Sequence, residues 1–204
     1  DIIVPYLLSR KVDKIDRVII SHKDWDHRGG FSSVAQKIPI LQVLTSSPQL
    51  FPNYNTQSCH DGLNWQWDNV TFKILFPITY QSGQTNNNSC VLKVCTNNHC
   101  ALLPGDIEIE AENEMVKREQ KELKSDLLIA PHHGSITSSS LAFIQNVHPS
   151  WVLFPVGYLN RFGFPNPLIV KRYREFGTKT FSTAENGAIK FIFSAKKITV
   201  LNLN

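Results

Sequence analysis

The chain has no apolar run of the roughly 18 residues that a membrane-spanning helix needs, so none of its 204 residues reads as a membrane segment. Its apolar start, Asp1–Leu8, is short and lacks a basic lead, and so does not read as a secretion signal. A membrane-bound parent polypeptide stays open. Internal repeats, low-complexity tracts and long linkers are lacking too, so one folded unit, residues 1–204, is the expectation. A single-sign charge block is also absent. The net charge of +4 and pI near 8.9 favour a polyanionic partner only mildly. With 42% hydrophobic and 19% charged residues, the composition is that of a globular protein with a real core.

Cysteine is scarce, and Cys59, Cys90, Cys95 and Cys100 match no zinc-finger spacing. Cys95 and Cys100 flank Thr96-Asn97-Asn98-His99, where Asn97-Asn98 can supply the positive φ angles of a two-residue hairpin turn. That register sets Cys95 opposite Cys100 at a non-hydrogen-bonded pair, where side chains approach most closely. A cross-strand disulfide and two free buried thiols both fit; the bridge implies an oxidising compartment.

Short apolar runs and amphipathic segments make up most of the chain. The runs Arg17–Ile20, Ile40–Leu44, Val70–Phe76, Cys90–Cys95, Cys100–Leu103, Asp126–Ala130, Trp151–Val156, Thr178–Phe181, Ala188–Phe193 and Ile198–Leu203 predict strands. Val4–Arg10, Gly30–Lys37, Ile107–Leu123, Ser138–Val147 and Pro167–Phe176 predict helices, the third with Glu108, Glu110 and Glu112 at its dipole-favoured end. Gln81–Ser89 reads as a loop. Interleaving of this kind predicts a layered α/β fold with sheets sandwiched between helices.

Four of the predicted strands run into polar, metal-competent segments. Ile20 is followed by Ser21-His22-Lys23-Asp24-Trp25-Asp26-His27, Leu103 by Pro104-Gly105-Asp106, Ala130 by Pro131-His132-His133-Gly134-Ser135, and Val156 by Gly157-Tyr158-Leu159-Asn160-Arg161. Sites in α/β proteins gather beyond the carboxyl ends of strands, and a solvated loop explains one such end but not four. His22-x-Asp24-x-Asp26-His27 places four ligand-type residues within six positions, which needs a tight turn that Gly29-Gly30 would ease. Asp106 alone reads as a helix N-cap; beside the first cluster it reads as a carboxylate bridging two metals. Of His132 and His133, one is a candidate ligand or general acid and the other a supporting contact. His60, His99 and His148 read as surface or turn residues.

These stretches resemble the metallo-β-lactamase superfamily, in which a His-x-His-x-Asp-His loop opens a dinuclear site, and more closely the ComEC competence family. The resemblance lies in Ser21–Gly30, Trp65-Gln66-Trp67-Asp68, Asn88-Ser89-Cys90-Val91-Leu92, Leu103–Glu108, Pro131–Ser135 and Asn160-Arg161-Phe162-Gly163, in family order over most of the chain. It implies an αββα sandwich, a divalent-metal site and a nuclease role in handling DNA during natural transformation. Asp26, His27 and Asp106 are then expected to hold one ion and His22, Asp24 and Asp106 the other. Three carboxylates among five ligands favour Mn²⁺ over Zn²⁺. The expected chemistry is in-line attack on phosphorus by a metal-activated hydroxide at Asp26 and its neighbours. His132 or His133 protonates the departing oxygen, while Asn160, Arg161, Lys23 and Arg28 bind the phosphate.

The sequence departs from the family pattern at three places. Asp24 stands where the broader superfamily has His. Phe164-Pro165-Asn166-Pro167 replaces a His-Pro-His-Pro pattern, so fewer than two tightly bound metals are expected unless His132 or His133 supplies the missing ligand. The resemblance also implies that the chain begins inside the family domain, without its first strands. The partners expected are DNA, single-stranded, and the membrane-channel portion of the same parent polypeptide, with no lipid binding by this fragment itself. The expected location is a soluble domain of an inner-membrane protein on its extracytoplasmic face. Two rivals remain: hydrolysis of a small ester, lactone or thioester, and a degenerate, non-catalytic DNA-binding module, which Phe164 favours.

Overall fold

In the computed structural model, which describes residues 2–83, 85–119 and 121–202, the chain opens with helix α1 (Ile3–Ser9) and then builds a small parallel sheet. Strand β1 (Val18–Ile20) leads into the short helices α2 (Trp25–Arg28) and α3 (Phe31–Ala35), followed by β2 (Val43–Thr45) and β3 (Thr56–Ser58). Val18 pairs with Val43, and Val43 with Thr56. The large sheet starts with β4 (Asn64–Trp67) and β5 (Val70–Phe76), joined through Asp68 and Asn69, both at positive φ as a two-residue hairpin requires. Strands β6 (Val91–Cys95) and β7 (Cys100–Leu103) continue it antiparallel. Helix α4 (Ile109–Glu119), β8 (Leu127–Ile129), α5 (Leu141–Val147), β9 (Trp151–Phe154), α6 (Pro167–Glu175) and β10 (Lys179–Ser182) then extend it in parallel, because a helical crossover returns each strand to the same end. The order is β10-β9-β8-β7-β6-β5-β4. Helix α7 (Thr183–Asn186) and an antiparallel pair, β11 (Ile189–Phe193) and β12 (Ile198–Asn202), follow.

Alternation along the strands sorts side chains into layers. On β6, Val91 joins the core formed with Met115, Phe143 and Ile169 from the helices, whereas Leu92 and Val94 face the small sheet with Leu44 and Ile74. Ile20 and Val43, on the far side of the small sheet, pack with Phe31 of α3. Helix, sheet, sheet and helix therefore stack in sequence, the αββα order expected.

Several elements differ from the sequence reading. The polar β3, the Trp-bearing β4, α2 and α7 were not expected. The helix predicted over Ile107–Leu123 spans Ile109–Glu119, with Gln120 outside the described residues; Leu203 of the last predicted strand and Gln84 of the predicted loop also lie outside them. Glu112 lies in the first turn of α4 as read, but it is also fully buried, and its carboxylate accepts hydrogen bonds from the Ser139 and Ser140 amides, which joins α4 to the start of α5. Cys95 and Cys100 pair as expected, with Cα atoms 4.2 Å apart, and form a disulfide. Neither Asn97 nor Asn98 takes positive φ, however; the Thr96 hydroxyl accepts from the His99 amide and closes the turn. A second disulfide, Cys59–Cys90, crosses the inter-sheet core and was not expected.

Candidate metal centre and its cleft

The loops after β1, β7, β8 and β9 meet at one end of the sandwich. Gly105, at φ +60°, lets the β7 loop close against the β1 loop: a Cβ there would lie 2.8 Å from Ser89 Cβ and 2.9 Å from Ser21 Cβ. Gly134 has φ +81°, and His132 and His133 before it are also left-handed, so three successive residues occupy a region that costs side-chain-bearing residues about 1 kcal/mol or more each. The His132 amide donates to the Gly105 carbonyl and locks the two loops together. Gly29 and Gly30, expected to relax the first loop, both have ordinary helical φ. Gly29 is required instead by close approach, since a Cβ there would meet the Trp25 carbonyl at 2.7 Å.

Asp26, His27, Asp106 and His133 converge with their ligand-type atoms all within 4.8 Å of one another. His27 Nε2 stands 3.1 Å from Asp106 Oδ1 and 3.2 Å from His133 Nε2. His133 Nε2 lies 3.3 Å from Asp26 Oδ2 and 3.5 Å from Asp106 Oδ2. Its Nδ1–H donates to the Pro155 carbonyl, which turns Nε2 into the cluster. His22 Nε2 lies 3.6 Å from Asp24 Oδ2 and 3.9 Å from Asp106 Oδ2, the oxygen that His133 also approaches.

His22 supplies the test of whether this set fits a cation. It is buried, its Nδ1 is engaged by the Ser21 and Ser89 hydroxyls, and its Nε2 has no hydrogen-bond partner. Burial, reinforced by nearby His27, lowers its pKa to about 4, so the ring is neutral. A buried, unpartnered imidazole nitrogen facing two carboxylates is costly without a cation between them. Ligand bonds of about 2.0–2.2 Å would satisfy all three groups at these spacings. The residues fit a divalent metal. Asp106, facing both groups, is held ionised, its carboxyl driven well below the usual range by hydrogen bonds from His133 and His27 that outweigh its burial. The same Asp106 contact raises His133 to about 9.

The structure therefore brings His22, Asp24, Asp26, His27 and Asp106 together and adds His133 to them. His132 lies outside the cluster: its Nδ1 is 3.2 Å from Thr137 Oγ1 and 3.3 Å from Glu108 Oε1, while Thr137 donates to Glu108. Asn160 borders the cleft, but its amide is spent on the Gly157 and Phe164 backbone. Arg161 is exposed, with its guanidinium 4.8 Å over the Phe162 ring. Lys23 is exposed, and Arg28 donates to the Lys23 carbonyl and lies 4.6 Å over Trp25. Asn166 caps α6 through Leu168 N rather than facing the cluster. Sequence reasoning gave no site role to Ser21, Ser89, Glu108 or Thr137; the Ser89–His22 and Thr137–Glu108 contacts form only when separate loops meet. Ser21, Ser89 and Glu108 lie within the family-like stretches, whereas Thr137 carries no such signal.

Residues 2–150 match the family model described as the metallo-beta-lactamase superfamily. The chain is 34% identical over 189 residues to Competence protein ComA of Neisseria gonorrhoeae, covering 93% of this chain and 27% of that protein. It is 31% identical over 199 residues to Recombination protein 2 of Haemophilus influenzae (strain ATCC 51907 / DSM 11121 / KW20 / Rd), covering 97% of this chain and 25% of that protein. The chain thus spans about a quarter of the length of these curated relatives. Among solved structures, the metallo-beta-lactamase fold protein YhfI of Bacillus subtilis superposes with a TM-score of 0.55 at 13% identity, covering 88% of this chain and 79% of that one.

Proposed function

This chain belongs to the metallo-β-lactamase superfamily, with the ComEC competence proteins as its near relatives, and from that premise we propose that its site hydrolyses phosphodiester bonds in DNA. Membership carries metal-dependent hydrolysis as the class of activity. The observation that carries the proposal is the convergence of Asp26, His27, Asp106 and His133 beside the orphaned Nε2 of His22. Relatives named for competence and for recombination support DNA as the polymer.

Divalent metal held by Asp26, His27, Asp106 and His133, and by His22, Asp24 and Asp106, supplies charge neutralisation for a phosphate and activation of water. Asp106 is the carboxylate common to both groups. Glu108 and Thr137 hold the His132 ring from its Nδ1 side, which leaves Nε2 for the cleft and suits His132 to protonate the departing oxygen. Arg161 adds fixed positive charge at the mouth. Three carboxylates and no thiolate make the site hard enough to favour Mn²⁺ over Zn²⁺. The partners on this reading are single-stranded DNA and the channel portion of a longer parent polypeptide. The two disulfides support an oxidising, extracytoplasmic location. Among the described residues no helix is long and apolar enough to cross a membrane.

The test is to strip the protein of metal, reload it with Mn²⁺ or Zn²⁺, and assay oligonucleotides against a panel of small esters, lactones and thioesters. DNA cleavage with Mn²⁺ ahead of Zn²⁺ is expected. Ester turnover without DNA cleavage would establish the small-substrate rival, and DNA binding without any turnover the degenerate module. Entry of His133 into the cluster counts against that last reading, because it supplies a ligand where Phe164 does not.

A further inference from the structure

The cleft beside the metal cluster has two unlike walls. Asp26, Asp106, His132 and His133 form one; Phe162 and Phe164 dominate the other, across a cavity of about 400 Å³, within the range of small-ligand sites. The aromatic wall continues the cluster outward as a series of nearly parallel rings. Phe164 lies 6.3 Å from His133 at 17° and 5.7 Å from Phe162 at 21°. Phe162 is 64% exposed and carries the Arg161 guanidinium. Beside Asp26 in the chain, Trp25 is 70% exposed and carries the Arg28 guanidinium. A polar wall suited to phosphate, an open ring suited to a π face and an arginine at that ring are the parts a nucleotide needs.

Resting on the reading of this site as a phosphodiesterase, we propose that Phe162 and Phe164 form a base-stacking subsite that selects single-stranded nucleic acid. The scissile phosphate meets the His/Asp wall while an adjacent unpaired base lies on the aromatic wall. Bases inside a duplex are stacked on one another and have no free face to offer without unstacking. Phe164, which occupies the position of a histidine in the resembled pattern, is on this view the inner part of the wall, rather than a lost ligand. A lipid surface would account for an exposed apolar loop, but not for rings that run from its tip to the metal cluster.

Binding of the metal-loaded protein to labelled oligonucleotides reads the subsite, and cleavage of the same strands reads the phosphodiesterase activity. Phe162→Ala is expected to weaken binding of a single strand about tenfold, the effect of one stacked base, and Phe162→Trp to retain it. A single strand with abasic positions should bind the unaltered protein about tenfold more weakly and be indifferent to Phe162→Ala. Equal affinity for normal and abasic strands, or normal binding by Phe162→Ala, overturns the subsite. So does a Phe162→Ala defect confined to vesicles of phosphatidylglycerol and phosphatidylethanolamine, which would make the loop a membrane contact. If the binding pattern holds but no strand is cut with any metal, the subsite stands and the phosphodiesterase reading fails. Cleavage without the binding pattern gives the reverse.

Discussion

Asp106 is the residue on which both halves of the centre depend, since His27 approaches its Oδ1 while His133 and His22 both approach its Oδ2. Asp106→Ala is therefore expected to lower turnover by at least about 100-fold and reduce bound metal while leaving the circular dichroism of the fold intact; DNA cleavage at the unaltered rate by a folded variant would remove the bridging role. His133 adds a pH dependence. Without metal its proton is retained up to about pH 9 by Asp106, whereas a metal needs the neutral ring. Metal affinity at the His133 group should rise with pH, at most about tenfold per unit, and level off above about 9. His22 is already neutral at pH 7, so affinity at its group should stay nearly flat. Metal titrations between about pH 6.5 and 8.5 check this, and two flat profiles would count against His133 as a ligand. Asp24, Asp26, His27 and Asp106 were legible because each lies in a dense local pattern or directly after a strand. The choice between His132 and His133 was not, because two adjacent left-handed residues send their rings to different neighbours. For the same reason Phe164→His should leave metal occupancy unchanged, because His133 supplies the ligand that the sequence pattern lacks at position 164; elemental analysis of the two proteins decides.

At the scale of elements, what holds the site is the Pro131–Ser135 turn pressed against the loop before α6. Gly134 is the tightest point: at φ +81°, a Cβ would lie 2.7 Å from Phe154 Cδ1 and 2.9 Å from Pro165 Cβ. Gly134→Ala combines backbone strain with overpacking against a buried ring. It should cost about 2–4 kcal/mol of stability and displace His133, lowering metal affinity together with the midpoint of thermal unfolding. A variant that lost neither would show that the turn relaxes freely. The long apolar strands and α4–α6 were legible from periodicity, since each buries a face wide enough to leave a pattern. Thr56–Ser58 and Asn64–Trp67 were not: one is a three-residue polar strand and the other starts at Asn64 and sets Gln66 between its two tryptophans. Glu112 was legible as a first-turn acid of α4, but its burial was not, because the amides it accepts from lie 27 and 28 residues away.

Over the whole molecule, two disulfides of unequal reach fasten the large sheet. Cys95–Cys100 closes a hairpin across a separation of 5 residues, whereas Cys59–Cys90 spans 31 and links the β3–β4 connection to the start of β6, inside the core between the two sheets. The first was legible as an option because a hairpin fixes its partner; nothing local fixes a partner 31 positions away. Loop-closure entropy grows with the enclosed length, which gives about 3–4 kcal/mol for the long bridge and about 2 for the short one. Cys59→Ser with Cys90→Ser should therefore lower the unfolding midpoint by roughly 10 °C, and Cys95→Ser with Cys100→Ser by roughly half as much. The long bridge also sits near the site, because Ser89, which precedes Cys90, holds both the His22 ring and the Asp106 amide. Its loss should weaken metal binding as well as stability, while loss of the hairpin bridge, at the opposite end of β6 and β7, should affect stability alone. Calorimetry and metal titration of the two double variants separate these effects. Equal metal affinity in both would show that the Ser89 segment keeps its place without the covalent tie.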